Sequence, residues 1–140
     1  MAILAAAVLL SSCGTAQILY NWGGEYNGVT EYERIAYRTS DTQSPESICS
    51  MLVLYQELVS EPGGLRKMPP PGICAEYAWL LAQPETATTF AEHASSRQKS
   101  LLGFSTADFL ARSRELFEME MKYYPESAKF IKPLAERLFK

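Results

Sequence analysis

The sequence predicts an all-α fold of antiparallel helix hairpins with a C-terminal capping helix. Three observations carry this. Apolar residues recur at a three-to-four spacing in several windows, as on one face of a helix. Helix start signals stand just before those windows, and proline or glycine stands just after them. No convincing strand pattern, with apolar and polar residues alternating, competes with this reading.

The elements follow in order. Thr30 and Glu33 have capping-box spacing: the hydroxyl takes a first-turn amide and the carboxylate reaches back. They start a helix over 30–38 with Val29, Tyr32, Ile35 and Ala36 on its apolar side, and 40–43 reads as a loop. Ser44 is a good N-cap and Pro45 a good first helical residue, where its missing N–H costs nothing. Ile48, Met51, Leu52, Tyr55, Leu58 and Val59 then mark a helix over 45–61, ended by Glu61-Pro62-Gly63-Gly64. The stretch 65–72, with Pro69-Pro70-Pro71, reads as a rigid connector in polyproline conformation rather than a proline-rich ligand.

A third helix over 73–83 has a large apolar face of Ile73, Tyr77, Leu80 and Leu81. Its small residues Ala75, Ala78 and Ala82 let a neighbour approach closely. The stretch 85–100 reads either as a polar helix anchored by Phe90 and Ala94 or as a mobile insertion. Ser105 and Asp108 open the strongest helix, with Phe109, Ser113, Leu116, Phe117, Glu120 and Tyr124 on one side; Pro125 stops it. A last helix carries Phe130, Ile131, Leu134 and Leu138. Pro133 removes a backbone donor there, so a kink or a start near Lys132 is expected.

Composition bounds the class. The 140 residues are 47% hydrophobic and 21% charged, which suits one globular domain. A net charge of −3 argues against a basic nucleic-acid-binding surface. The apolar run 2–10 is shorter than the roughly 20 residues that span a bilayer. It has the length of a signal-peptide apolar region. It leads into Leu10-Ser11-Ser12-Cys13-Gly14, the pattern read by the bacterial lipoprotein signal peptidase. Cleavage before Cys13 leaves a lipid-bearing N-terminal cysteine. No Lys or Arg precedes the run, so a start upstream of Met1 or a truncated leader is expected. The organisation is then a signal peptide over 1–12, a lipid tether with an aromatic-glycine patch over 13–28, and a helical domain over 29–140 with an insertion at about 84–104. The expected address is the cell envelope, on the outer membrane facing the periplasm, since no Asp follows Cys13.

With Cys13 lipidated, Cys49 and Cys74 remain as a pair in a compartment that permits disulfides. A bridge between them closes a loop of about 25 residues and stabilises by about 3 kcal/mol in the chain-entropy picture. The alternative is two buried thiols acting as small apolar side chains. The spacing is not CxxC, and no histidines surround it, so zinc is not expected. No other metal and no cofactor is expected either.

Candidate surfaces are aromatic. Leu19-Tyr20-Asn21-Trp22-Gly23-Gly24-Glu25-Tyr26 offers Tyr20, Trp22 and Tyr26 to a partner, unless it folds back onto the first helix pair as core. Trp79 lies off the apolar face of its helix and is the better candidate for lining a groove; Tyr55 and Tyr77 suit core or groove equally. Glu76 has no second carboxylate at a defined spacing for general acid–base work. His93 is the only histidine, with no identifiable nucleophile. Gly23-Gly24 and Gly63-Gly64 lack the lysine and hydroxyl of a phosphate-binding loop. A non-enzymatic role is expected: an envelope adaptor, or alternatively a binding protein for a peptide or cell-wall glycan.

Ser113, Phe117 and Pro125 stand at the offsets of the small, aromatic and terminal proline positions in the second helix of a tetratricopeptide-like repeat. Glu120 stands where a second alanine is usual. The first helix of the pair is 75–83, and about 20 residues intervene where such repeats have a short turn. One pair cannot bury its own face, so the earlier pair supplies one side and the last helix caps the other.

The chain resembles a family of small bacterial lipoproteins, domain of unknown function 4810. The resemblance rests on Cys13, the patch from Leu19 to Tyr26, the run Pro70-Pro71-Gly72-Ile73-Cys74-Ala75-Glu76-Tyr77-Ala78, and Phe117 with Tyr124-Pro125-Glu126-Ser127. The stretch 84–104 departs from the family pattern. The resemblance implies a membrane-anchored envelope lipoprotein acting in an assembly or transport complex. Its implied partners are a curli-secretion-channel-like lipoprotein and another small lipoprotein.

Overall fold

A computed structural model describes residues 17–140. The signal segment, Cys13 and its lipidation motif lie outside the described residues. The described chain is mostly helical, with a two-stranded hairpin and seven α-helices. These are β1 (Glu25–Tyr26), β2 (Val29–Thr30), α1 (Glu31–Thr42), α2 (Pro45–Ser60), α3 (Ile73–Ala82), α4 (Thr86–His93), α5 (Ser96–Leu102), α6 (Phe109–Tyr123) and α7 (Ala128–Leu138). No helix among the described residues is long and apolar enough to cross a membrane.

Local chemistry sets the helix ends. The Thr30 hydroxyl accepts from the Glu33 N–H while the Glu33 carboxylate accepts from the Thr30 N–H at 2.8 Å, which is the capping box expected for α1. The helix runs through 40–42, expected as loop. Thr39 and Thr42 turn their hydroxyls back to the carbonyls of Ile35 and Arg38, and Gln43 ends the helix in a left-handed conformation. Ser44 caps α2 through the Ser47 N–H, with Pro45 in the first turn.

Two stretches differ from expectation. Residues 25–30 form a hairpin, with Glu25 opposite Thr30 and Tyr26 opposite Val29. Its turn is Asn27-Gly28, both with positive φ, the pairing that a tight hairpin requires. The stretch 85–100, expected as one polar helix or a mobile insertion, lies instead in two short helices. They are α4 and α5, packed on α2, and α5 has its own capping box between Ser95 and Gln98. Phe90 and Leu102 are buried there, so the stretch belongs to the core. A single 3-10 turn, Thr106–Asp108, then leads into α6.

The last helix, expected to kink at Pro133 or to start near Lys132, begins at Ala128 and continues through Pro133. Pro133 is exposed, while Ile131 is buried and Leu134 half-buried, so the missing donor sits on the solvated side.

The most extensive contact is between α3 and α6. Ser113 is fully buried and donates from Oγ to the Ala78 carbonyl at 2.6 Å. At the other end of α6, the Tyr124 hydroxyl donates to the Pro69 carbonyl at 2.7 Å. The proline connector is thereby fastened to α6, and Pro69 and Pro70 are fully buried. The α1 and α2 helices pack as a second pair, α2 packs on α3, and α7 lies on α6. One apolar cluster from Ile35 to Ile131 joins all seven helices.

Cys49 in α2 and Cys74 in α3 are free thiols and completely buried. Of the two alternatives the structure has the unbridged one, with both as small apolar side chains within the packed helices. Burial pushes the Cys74 thiol up to about 12, with the nearby Glu120 carboxylate adding to it. Burial raises Cys49 as well, with Glu46 adding to it.

Candidate functional site: the groove around Glu76 and Trp79

A large open groove of about 970 Å³ runs between α1, α2, α3 and α7. Its floor is Ile48, Met51 and Tyr55 of α2. One wall is Ala36, Thr39 and Ser40 of α1; the other is Ala75, Glu76, Trp79 and Leu80 of α3, with Leu134 of α7 beyond. The spacing within 76–83 makes this wall, since residues three and four apart share a helix face.

Trp79 is 45% exposed, a high value for a residue of that size, and it lines this groove. Of the expected apolar face of α3, Ile73, Tyr77 and Leu81 are buried, whereas Leu80 is half-buried and lines the groove beside Trp79. The charged side chains lining the groove are Glu76 and Glu85; no lysine or arginine among the described residues lines it.

Glu76 is held from below. The Tyr32 hydroxyl donates to its Oε2 at 2.7 Å, and the Tyr55 hydroxyl donates to the same oxygen at 2.8 Å. Burial raises both phenols, and their bonds to Glu76 raise them further, so they stay protonated and remain donors. These rings belong to a ladder that runs from Trp22, just before β1, through α1 and α2 to α3. Trp22 and Tyr32 centroids are 5.2 Å apart, Tyr32 and Tyr55 6.4 Å, and Tyr55 and Tyr77 5.6 Å. The Tyr77 hydroxyl donates to Gln56 Oε1 at 3.1 Å. Tyr77 is thus core, whereas Tyr55 is both core and groove floor. Sequence reasoning missed this arrangement: Glu76 meets partners 44 and 21 residues away, and no local spacing announces that.

A second carboxylate supports the wall from behind. Gly72 precedes α3 and has no side chain to cap it. Glu120 of α6 takes that role: buried to 2% exposure, it accepts the Gly72 N–H at Oε1, 2.8 Å away. Burial raises its carboxyl above the usual range, against the first-turn amides of Gly72, Ala75 and Cys74, which pull it down. The residue that mismatched the repeat pattern is thus the cap of the helix bearing Glu76 and Trp79.

The aromatic-glycine patch divides. Trp22 is half-buried against Tyr32, and its carbonyl accepts the Tyr32 N–H at 3.1 Å. Tyr20 is also half-buried, with its hydroxyl beside that of Tyr124. Tyr26 points outward from the hairpin at 79% exposure. The three do not form one surface, and none lines the groove. His93 is exposed, and its Nε2 lies 3.9 Å from Glu92 Oε2. No group of three or more His, Cys, Asp or Glu side chains among the described residues is arranged to hold a metal.

The fold and site define a small, mostly helical protein with packed helix pairs and an open, apolar groove bearing a carboxylate and a tryptophan. Searches of protein-family models, curated proteins and solved structures give no match to the chain.

Proposed function

We propose that this chain is a lipid-anchored envelope adaptor, tethered through Cys13, whose tetratricopeptide-like helix pairs hold a partner protein at the groove. In this reading α1/α2 and α3/α6 are the two repeats, with α7 as the cap, and α4 and α5 are inserted within the second. The observation that carries it is the groove, walled by the first helix of each pair and reached by the cap through Leu134. Stacked helix pairs present such concave surfaces to extended partners. The resemblance to domain of unknown function 4810 supports the same reading. Its run from Pro70 to Ala78 contains the capped start of α3 and Glu76. By association, the partners are envelope lipoproteins of the curli-secretion-channel-like kind.

Two experiments test this. Wild-type protein should partition with membranes and carry a lipid mass shift on Cys13; Cys13→Ala should lose both. Partitioning by Cys13→Ala, with no mass shift in either form, defeats the anchor. Gentle pull-down from detergent-solubilised envelopes should recover a defined partner; recovery of the protein alone counts against the adaptor.

The exposure of Trp79 favours one alternative, an envelope binding protein for a peptide or cell-wall glycan. There a soluble cell-wall fragment should shield Trp79 fluorescence from acrylamide.

A further inference from the structure

We propose that the groove selects a cationic side chain, best an arginine, carried on an otherwise apolar partner segment, with Glu76 as its counter-charge and Trp79 as its stacking surface. The inference rests on the groove being a contact surface and adds the chemistry of what enters it.

The carboxylate is prepared for this. Both phenols bond Oε2 of Glu76, which leaves Oε1 for a ligand. Glu76 has no ion-pair partner among the described residues. Two donors fixing one oxygen cut the entropy lost when a third donor arrives. Trp79 stands three residues on, along the same helix face, 45% exposed. An indole face attracts a cation, and a planar guanidinium both stacks on it and forks onto a carboxylate. The surrounding Ile48, Met51 and Leu80 are apolar, so the segment around the cation gains by being apolar too. The other charged side chain of the groove, Glu85, has the same sign. Complementarity therefore favours a positive ligand and rejects an acidic one.

The test uses the full chain with Trp22→Phe, which leaves Trp79 as its only tryptophan. The probes are short leucine–alanine peptides, blocked at both ends, with arginine, citrulline or glutamate at the centre. Titration should shift the Trp79 emission, with the arginine peptide binding about tenfold tighter than its citrulline isostere. The glutamate peptide should bind weakest. Glu76→Gln should erase the arginine preference while leaving citrulline binding in place. Trp79→Ala, followed by calorimetry, should weaken the arginine peptide more than the citrulline peptide. Calorimetry on the unsubstituted protein should give the same order. Equal binding of arginine and citrulline, an arginine preference that survives Glu76→Gln, or no binding at millimolar peptide each overturns the proposal. Membrane partition and the envelope pull-down do not use these peptides, so failure of the adaptor reading shows separately.

Discussion

At the scale of single residues, Glu120 is where stability and site geometry meet. Its side chain caps α3 from another helix. Glu120→Ala strands the Gly72 amide and opens space behind the wall, an expected cost of about 1–3 kcal/mol in urea unfolding. Glu120→Gln keeps an acceptor and should cost much less. The pH dependence has a definite sign. Burial raises the folded-state carboxyl, so the folded protein holds its proton to higher pH than the unfolded chain. Stability at this position should therefore fall as pH rises from the ordinary carboxylate value toward the raised one. Glu120→Gln should flatten that slope, as seen in urea midpoints across pH. The cysteines give a second prediction. Cys49 and Cys74 are buried with raised thiols, so native protein carrying Cys13→Ser should react slowly with a thiol reagent. It should release two equivalents on denaturation without reductant. Sequence spacing located Ser113 and Phe117 as packing positions, but not the task of Glu120. Its partner lies 48 residues away in a segment with no ionisable group at the contact.

At the scale of elements, the legible helices were those with local start and stop chemistry. Thr30 with Glu33 and Ser44 with Pro45 set α1 and α2 at the expected places. The Ser95–Gln98 box of α5 follows the same rule but was hidden in a short polar stretch with few apolar positions. Ser95→Ala should cost about 1 kcal/mol and speed amide exchange in α5 first. The hairpin was legible in principle from Asn27-Gly28, yet two-residue strands are too short to show alternation. The fold-back before it depends on tertiary contact. The Leu65 and Arg66 amides donate to the Ile18 and Leu19 carbonyls at 3.0 Å, across the Gly63-Gly64 turn. Gly64 has φ +73°, and a Cβ there would lie 2.6 Å from the Leu19 carbonyl oxygen. Gly64→Ala should therefore release residues 18–19 from the turn. Faster trypsin cleavage after Arg66 and Lys67 would report it.

At the scale of the whole molecule, helical class and the groove position of Trp79 could be read from periodicity. The groove itself could not, since it is walled by segments far apart in sequence and its carboxylate is fixed by phenols from two other helices. The arrangement accounts for a small protein that needs no deep pocket. One carboxylate is held in place, one indole is exposed beside it, and Ile48, Met51, Leu80 and Leu134 add apolar lining. The most direct measurement on the adaptor reading is a pull-down of full-length protein from gently solubilised envelopes, comparing wild type with Trp79→Ala/Glu76→Gln. The account predicts that wild type brings down a defined envelope protein, that the double variant folds and stays on the membrane, and that it loses this partner. Wild type recovered alone, or a double variant that retains the same partner, would contradict it.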